Sequence, residues 1–480
     1  MAGRGASGRA LIVVAVLASF VAFLDGSVVN LALPAISAEF SQNPAAGLTT
    51  QQWVVDGYLL ALGALILVAG GISDAVGRLA VLRAGLVVFA VASLLCALAP
   101  SGLALIAARC LQGVGAAFLV PSSLAMLNEH FTGAAQSRAI GIWTAWTGTA
   151  FVVGPLLGGV LVDTLSWRWI FAVNLVPLLL TLYLTTRLAP QRNSGQARSI
   201  DVPGALLTAF GLTGTVFALI EQQRLGAFHP LVVASFVVGV LCLAAFPWWE
   251  RRARNPMMPL EIFASRNFSV TNAATVFLYA GVSLGMLLVT LFLQETVGLS
   301  ATLAGAATLP VPLVSFLLAT RFGALAGRHG PRLYMAAGPL IAAAGFAVMA
   351  TVGEHFDFWT QLLPGLVLFA VGLTMTVSPL TATVLAAVDP AHSGVGSAVN
   401  NAVSRVAGLI AIAFMSVIVG GTIDFDGFRR GVLVTAALFA VAGLISAIGI
   451  RNHRGTAPVV PPAVSVLCHD RATPPPGRGH

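Results

Sequence analysis

Lysine is missing from this chain: all 25 basic residues among its 480 are arginine. With the abundance of Ala and Gly, that reads as a GC-rich coding bias. Charge of either sign is scarce, at 9% of residues, against roughly 25% in a soluble domain. No soluble fold could cover itself with so few charges. With 58% hydrophobic residues and a mean hydropathy of +0.92, most of the surface has lipid as its solvent. Cysteine is sparse too. Cys96, Cys110, Cys242 and Cys468 show no paired spacing, which argues against a disulfide framework or a metal site. His469 and Asp470 beside Cys468 sit in a Pro-rich tail and add no metal-ligand spacing. There is no GxxxxGK[ST] loop, so ATP does not drive the protein directly. No nucleophile elbow, ligand cluster or nucleic-acid module occurs, and no polar segment is long enough for a catalytic domain. The reading is a protein that is not an enzyme, needs no cofactor and no metal, and binds no nucleic acid despite its net charge of +8, because its arginines are scattered singly.

What is present is apolar run after apolar run. At about 20 residues per crossing, the chain accommodates about fourteen membrane spans. The first follows Arg4 and Arg9 but is too long for a signal peptide and contains Asp25, so it is read as retained. An even number of spans puts both termini on one side. The arginines then segregate: Arg168, Arg224, Arg429 and Arg430 fall on the far side, Arg109 and Arg405 fall within spans, and all others lie on the side of the termini. Basic loops stay cytoplasmic, so both termini are expected in the cytoplasm, with the chain multi-pass in a bacterial cytoplasmic membrane.

A weak repeat links Gly70-GISDAV-Gly77-Arg78, after the second span, to Gly323-ALAGRH-Gly330-Pro331-Arg332, after the tenth. If these loops correspond, the chain is an all-α membrane protein of two six-helix bundles with two inserted helices. The expected divisions are a cytoplasmic tail over 1–9, a first bundle over 10–190, an inserted pair with linkers over 191–255, a second bundle over 256–450, and a disordered tail over 451–480. Parallel repeats of this kind hold their substrate between the halves.

Asp25 is the one charge between Ala10 and Ile36. A carboxylate inside hydrocarbon is costly and usually marks an ion or substrate path. At 1.5 Å per residue it comes roughly 22 Å up the first span, about 8 Å short of the far face. Arg109 comes roughly 10 Å down the fourth span from that same face, and Asp56 about one turn down the second. Burial raises a carboxyl's pKa and a guanidinium lowers it, so Asp25, Asp56 and Arg109 form a candidate proton-coupling cluster. A structural ion pair locking two helices is the alternative.

Arg405, in the thirteenth span, has no acidic partner in its own helix; with Asn30 and Gln112 it is a candidate for the substrate cavity. Gly70, Asp74, Gly77 and Arg78 form a tight turn whose Asp74 can cap a helix or accept from an arginine and latch one state. In the fifth span, Gly154 and Gly158 offer a small-residue face for close packing, Pro155 bends the helix, and Gly159 adds to the motif.

These residues together resemble the major facilitator superfamily, specifically its fourteen-span drug:proton antiporters, over roughly residues 10 to 450. Leu24-Asp25-Gly26-Ser27-Val28-Val29-Asn30 through Pro34 looks like that group's first-span motif, and Gly70 to Arg78 like the loop signature of the superfamily. Arg109-Cys110-Leu111-Gln112-Gly113-Val114-Gly115 resembles the fourth-span motif, whose arginine is implicated in proton transfer. Gly141, Ala150, Gly154, Pro155, Gly158 and Gly159 resemble the fifth-span antiporter motif, with Ala150 in place of a glycine. Ser166-Trp167-Arg168-Trp169-Ile170-Phe171 through Asn174 and Pro177 is familiar from the fourteen-span branch. The resemblance implies proton-coupled efflux of hydrophobic or amphipathic small molecules by alternating access. Protons and a small-molecule substrate are the expected partners, the bilayer the solvent, and a monomer the working unit. A dedicated exporter of one endogenous metabolite would look the same in sequence; a non-transporting membrane sensor would tolerate substitution of Asp25 and Arg109.

Overall fold

In lipid every backbone polar group must be satisfied within the protein, and apolar runs of this length do so as helices. The computed structural model describes residues 2–41, 44–131, 133–188, 201–254, 256, 258–388 and 393–452, and contains no strand among them. Gly70 and Asp74 lie in a described helix, but their side chains fall outside the described residues, as does Cys468 with its neighbours.

The first half runs α1 (Ala2–Phe40), α2 (Pro44–Val76), α3 (Arg78–Ala97), α4 (Gly102–His130), α5 (Gly133–Gly148), α6 (Ala150–Thr164), α7 (Trp169–Ala172) and α8 (Leu175–Thr186). Then comes a pair, α9 (Val202–Leu225) and α10 (Pro230–Glu250). The second half comprises α11 (Arg266–Leu291), α12 (Ala301–Thr308), α13 (Pro310–His329), α14 (Pro331–Met349), α15 (Leu363–Ala386), α16 (Ser393–Ala413), α17 (Met415–Val419) and α18 (Phe425–Gly449). Among the described residues thirteen helical segments are long and apolar enough to cross a membrane, and α2, a helix of 33 residues, lies outside that count. The architecture is two six-helix bundles plus an inserted pair. Within the first half α4 packs on α1, α2 and α3; within the second, α14 packs on α15 and α18, and α11 on α16 and α18.

Local chemistry sets the ends and breaks. Ser101, Asp201, Ser300 and Asp424 cap α4, α9, α12 and α18 by accepting from backbone N–H groups three residues on. Gly77 and Gly330 sit at φ 110° and 86°, a region open to glycine, each as the residue before a helix. The weak repeat thus recurs in backbone geometry. The fifth span is interrupted at Thr149, between α5 and α6, just before the carbonyl that Pro155 cannot serve. The sixth breaks between α7 and α8 in the same way, ahead of Pro177. The second span begins at Pro44, because the polar LTTQQ stretch extends the helix ahead of its apolar run.

The halves meet most closely at the end remote from Arg78 and Arg332. There Asp163 of α6 accepts from the backbone N–H groups of Ala301 (3.1 Å) and Thr302 (2.8 Å), capping α12 of the other half. Gln52 donates to the carbonyls of Ile412 and Ala413 at 2.7 and 3.2 Å, and Gln51 donates to Glu295. All hydrogen bonds joining the two halves among the described residues lie at this end. A narrow cleft remains between α1, α2 and α4 on one side and α16 on the other.

Candidate functional site

Asp25 lies on the face of α1 turned into its own half, 1% exposed. Three side chains donate to its carboxylate. Arg109 Nη1 reaches Oδ2 at 2.6 Å; Gln112 Nε2 and Asn174 Nδ2 each reach Oδ1 at 2.9 Å. Arg109 and Gln112 lie one turn apart on α4, so one helix face presents both. Asn174 comes from the break before Pro177, where the interrupted ladder lets its amide turn inward to α1.

The second layer is equally complete. Arg109 Nε donates to the Val54 carbonyl at 3.0 Å and Nη1 also to Gln112 Oε1 at 2.6 Å. Gln112 gives its other N–H to Ser93 Oγ at 2.9 Å. The guanidinium carbon stands 4.4 Å from the centre of the Tyr58 ring, a cation–π contact in a dry setting. Arg109 is 1% exposed and Gln112 0%, so the cluster is sealed in this conformation. Removing one partner of such a buried pair typically costs about 3–5 kcal/mol.

Of the expected cluster, Asp25 and Arg109 come together and Asp56 does not join them. Asp56 is 0% exposed, and neither carboxylate oxygen has a hydrogen-bond partner among the described residues. Gln112, expected in the substrate cavity, instead ligates Asp25. Asn30 is half-buried, two turns beyond Phe23 on α1, and does not line the cleft. Arg405 does line it, with Phe23, Tyr58 and Asn401. Asn174 was missed as a site residue. An amide three residues before a helix-interrupting proline was the available signal.

The glycines of the fifth span meet two different helices. A Cβ on Gly154 or Gly158 would run into Ser27 or Val28 of α1, and one on Gly159 into the Thr302 backbone, 2.5 Å from its Cα. Gly305 returns the contact, lying against the Pro155 carbonyl. Arg78 donates to the Ala125 carbonyl at 2.6 Å and pairs with Glu129 at 3.2 Å, both on α4 of its own half. Near the far end Arg168 forms a two-bond fork with Glu39 at 2.7 and 2.8 Å, and this partner holds its guanidinium pKa above the ordinary value.

A family model described as Major Facilitator Superfamily matches residues 15–412. The chain belongs to that superfamily. It is 36% identical over 422 residues to the puromycin resistance protein pur8 of Streptomyces alboniger, covering 85% of this chain and 81% of the relative. It is 30% identical over 457 residues to the methylenomycin A resistance protein of Bacillus subtilis (strain 168), covering 94% and 96%. A crystal structure of an auto-inhibited POT family peptide transporter superposes with a TM-score of 0.68 at 15% identity, over 95% of this chain and 98% of that one, a likeness of fold alone. This superfamily membership makes the cleft between the halves and the sealed acid beside it the candidate transport site.

Proposed function

We propose that this protein is a proton-coupled efflux transporter that exports hydrophobic or amphipathic small molecules, without catalysing a chemical reaction. Both termini face the cytoplasm, as the distribution of arginine argues. The cleft then opens inward and the hydrogen-bonded end is the outer gate. The halves, dividing near residues 190 and 256, rock about the cleft as units. The resistance named for two relatives supports the direction of transport.

The observation that carries the reading is Asp25 itself: a carboxylate sealed inside a transporter half, with a counter-charge and two amides all aimed at it. Such a group is stable as an anion only while its three donors stay in place. Proton arrival removes the charge that Arg109 neutralises, weakens the ties from α4 and α8 to α1, and lets these helices repack. Loss of the proton restores them. Asp56 has the opposite environment: buried with no described hydrogen-bond partner, its anion would be uncompensated, which makes it a second candidate to carry a proton.

In proteoliposomes, Asp25→Asn should abolish accumulation driven by a pH gradient while the fold and substrate binding persist, because Asn can still accept from Arg109, Gln112 or Asn174, at a cost in thermal stability from the lost counter-charge. Gradient-driven transport at the wild-type rate by that variant would remove the mechanism.

A further inference from the structure

Arg405 is an arginine without a counter-ion. It projects from α16 into the cleft between the halves, is half-buried, and makes no ion pair or hydrogen bond with any described residue. Arg109, by contrast, is engaged by Asp25, Gln112 and the Val54 carbonyl. What surrounds Arg405 is aromatic: its guanidinium carbon stands 5.9 Å from the centre of the Phe23 ring, and Tyr58 lines the same cleft. One turn earlier on the same helix face, Asn401 also lines the cleft, and its side-chain amide bonds no described residue. Leu62, Ile66 and Val120 complete an apolar wall. Among the described residues no carboxylate lines the cleft: Asp25 is committed to its three donors and Asp56 is buried in α2.

We infer that the cleft selects small amphipathic molecules bearing a carboxylate or an equivalent anionic group, with Arg405 as the anion-binding residue and Asn401 as a second donor. A half-buried guanidinium with aromatic neighbours and no partner is an incomplete ion pair, and a ligand carboxylate completes it. The planar fork matches a carboxylate through two parallel bonds, while Phe23 and Tyr58 offer stacking surface to the apolar part. A ligand cation would meet Arg405 with nothing to offset the repulsion. As closed here the cleft has room for about one water, so the ligand enters with the halves further apart. Tyr58 also links the two sites. Arg109 stacks on its ring, and the same side chain lines the cleft with Arg405. This inference rests on the reading of the cleft as a transport site.

Three dansyl probes decide it: dansyl-phenylalanine, its uncharged methyl ester, and the cation dansyl-phenylalanine 2-aminoethylamide. Binding is measured by fluorescence anisotropy on the full-length protein in proteoliposomes without a gradient. The carboxylate should bind roughly tenfold or more tighter than the ester, the range of a hydrogen bond to a charged group, with the cation weakest. Arg405→Gln should erase the preference for the carboxylate over the ester while the ester binds as before. Arg405→Lys, which keeps the charge and tests that the helix tolerates change, should retain part of it. Equal binding of the three probes, preference for the cation, no measurable binding of the carboxylate, or an equal loss of all three in Arg405→Gln would each overturn the inference. A carboxylate preference without gradient-driven movement of any probe would instead leave the anion site standing and remove the efflux reading.

Discussion

Arg109 shows why the type of cation matters. Its Nε serves the Val54 carbonyl while Nη1 serves Asp25 and Gln112, and its flat face rests on Tyr58. A lysine ammonium is a point charge on a flexible stem and cannot hold these directions at once. Arg109→Lys is therefore expected to fold but to transport poorly. Arg109→Ala leaves Asp25 buried without its counter-ion and should lower stability by about 3 kcal/mol or more. The double variant Asp25→Asn with Arg109→Ala should recover part of that loss, read as the thermal unfolding midpoint in detergent; no recovery would mean that the charges are not each other's partners. That Asp25 and Arg109 meet could be read from the sequence by counting residues from each span end. The amides could not: Gln112 reads equally well as cavity-facing until the rotation of α4 is known, and Asn174 depends on where a proline breaks its helix.

At the scale of elements, α6 is a helix with two packing faces. Gly154 and Gly158 seat it on α1 inside one half, and Gly159 brings it to backbone contact with α12 of the other. The spacing of Gly154 and Gly158 announced close packing in the sequence; which neighbour Gly159 meets depends on how the halves approach, and no local pattern encodes that. Gly159→Val should keep this end from closing. In a background without the native cysteines, a cysteine placed at Gln51 would then label faster with a membrane-impermeant thiol reagent than in the parent. Unchanged labelling would mean that the contact is incidental. The loop signature illustrates the converse. Its turn was legible only in part: α2 runs on through Gly70 and Asp74 to Val76, which confines the turn to Gly77, and the partners of Arg78, the Ala125 carbonyl and Glu129, lie at the end of α4, where only the tertiary fold brings them near.

For the molecule as a whole, the Asp163 cap on α12, the Gln52 bonds and the Gln51–Glu295 contact define one closed end. A carboxylate at a helix N-terminus contributes about 0.3–1 kcal/mol, so each tie is modest and the gate can open. Asp163→Asn should shift the population toward the state open at this end, seen as a rise in accessibility of the Gln51 position. Joining cysteines at Gln51 and Glu295 with a short cleavable thiol cross-linker should stop transport, and cleavage should restore it; transport through the cross-linked protein would show that the end need not part. The bundle count and the inserted pair were legible because hydropathy and arginine placement are whole-chain signals. Where the pair sits was not.

The inserted pair takes up one flank. Trp53 of α2 donates to Glu221 of α9 at 2.9 Å, and Leu212, Val216 and Ile220 of α9 pack with Leu60 of α2 and with Leu409 and Ala413 of α16, so α9 leans across the joint between the halves. Its companion α10 is turned almost wholly to lipid. Among the described residues the opposite joint, where α6 meets α12 and α13, has no such cover. On the proposed reading of the cleft as a transport path, a molecule arriving through the lipid meets α9 on one flank and no such cover on the other, so the protein resembles a room with one of its two lateral entrances bricked up.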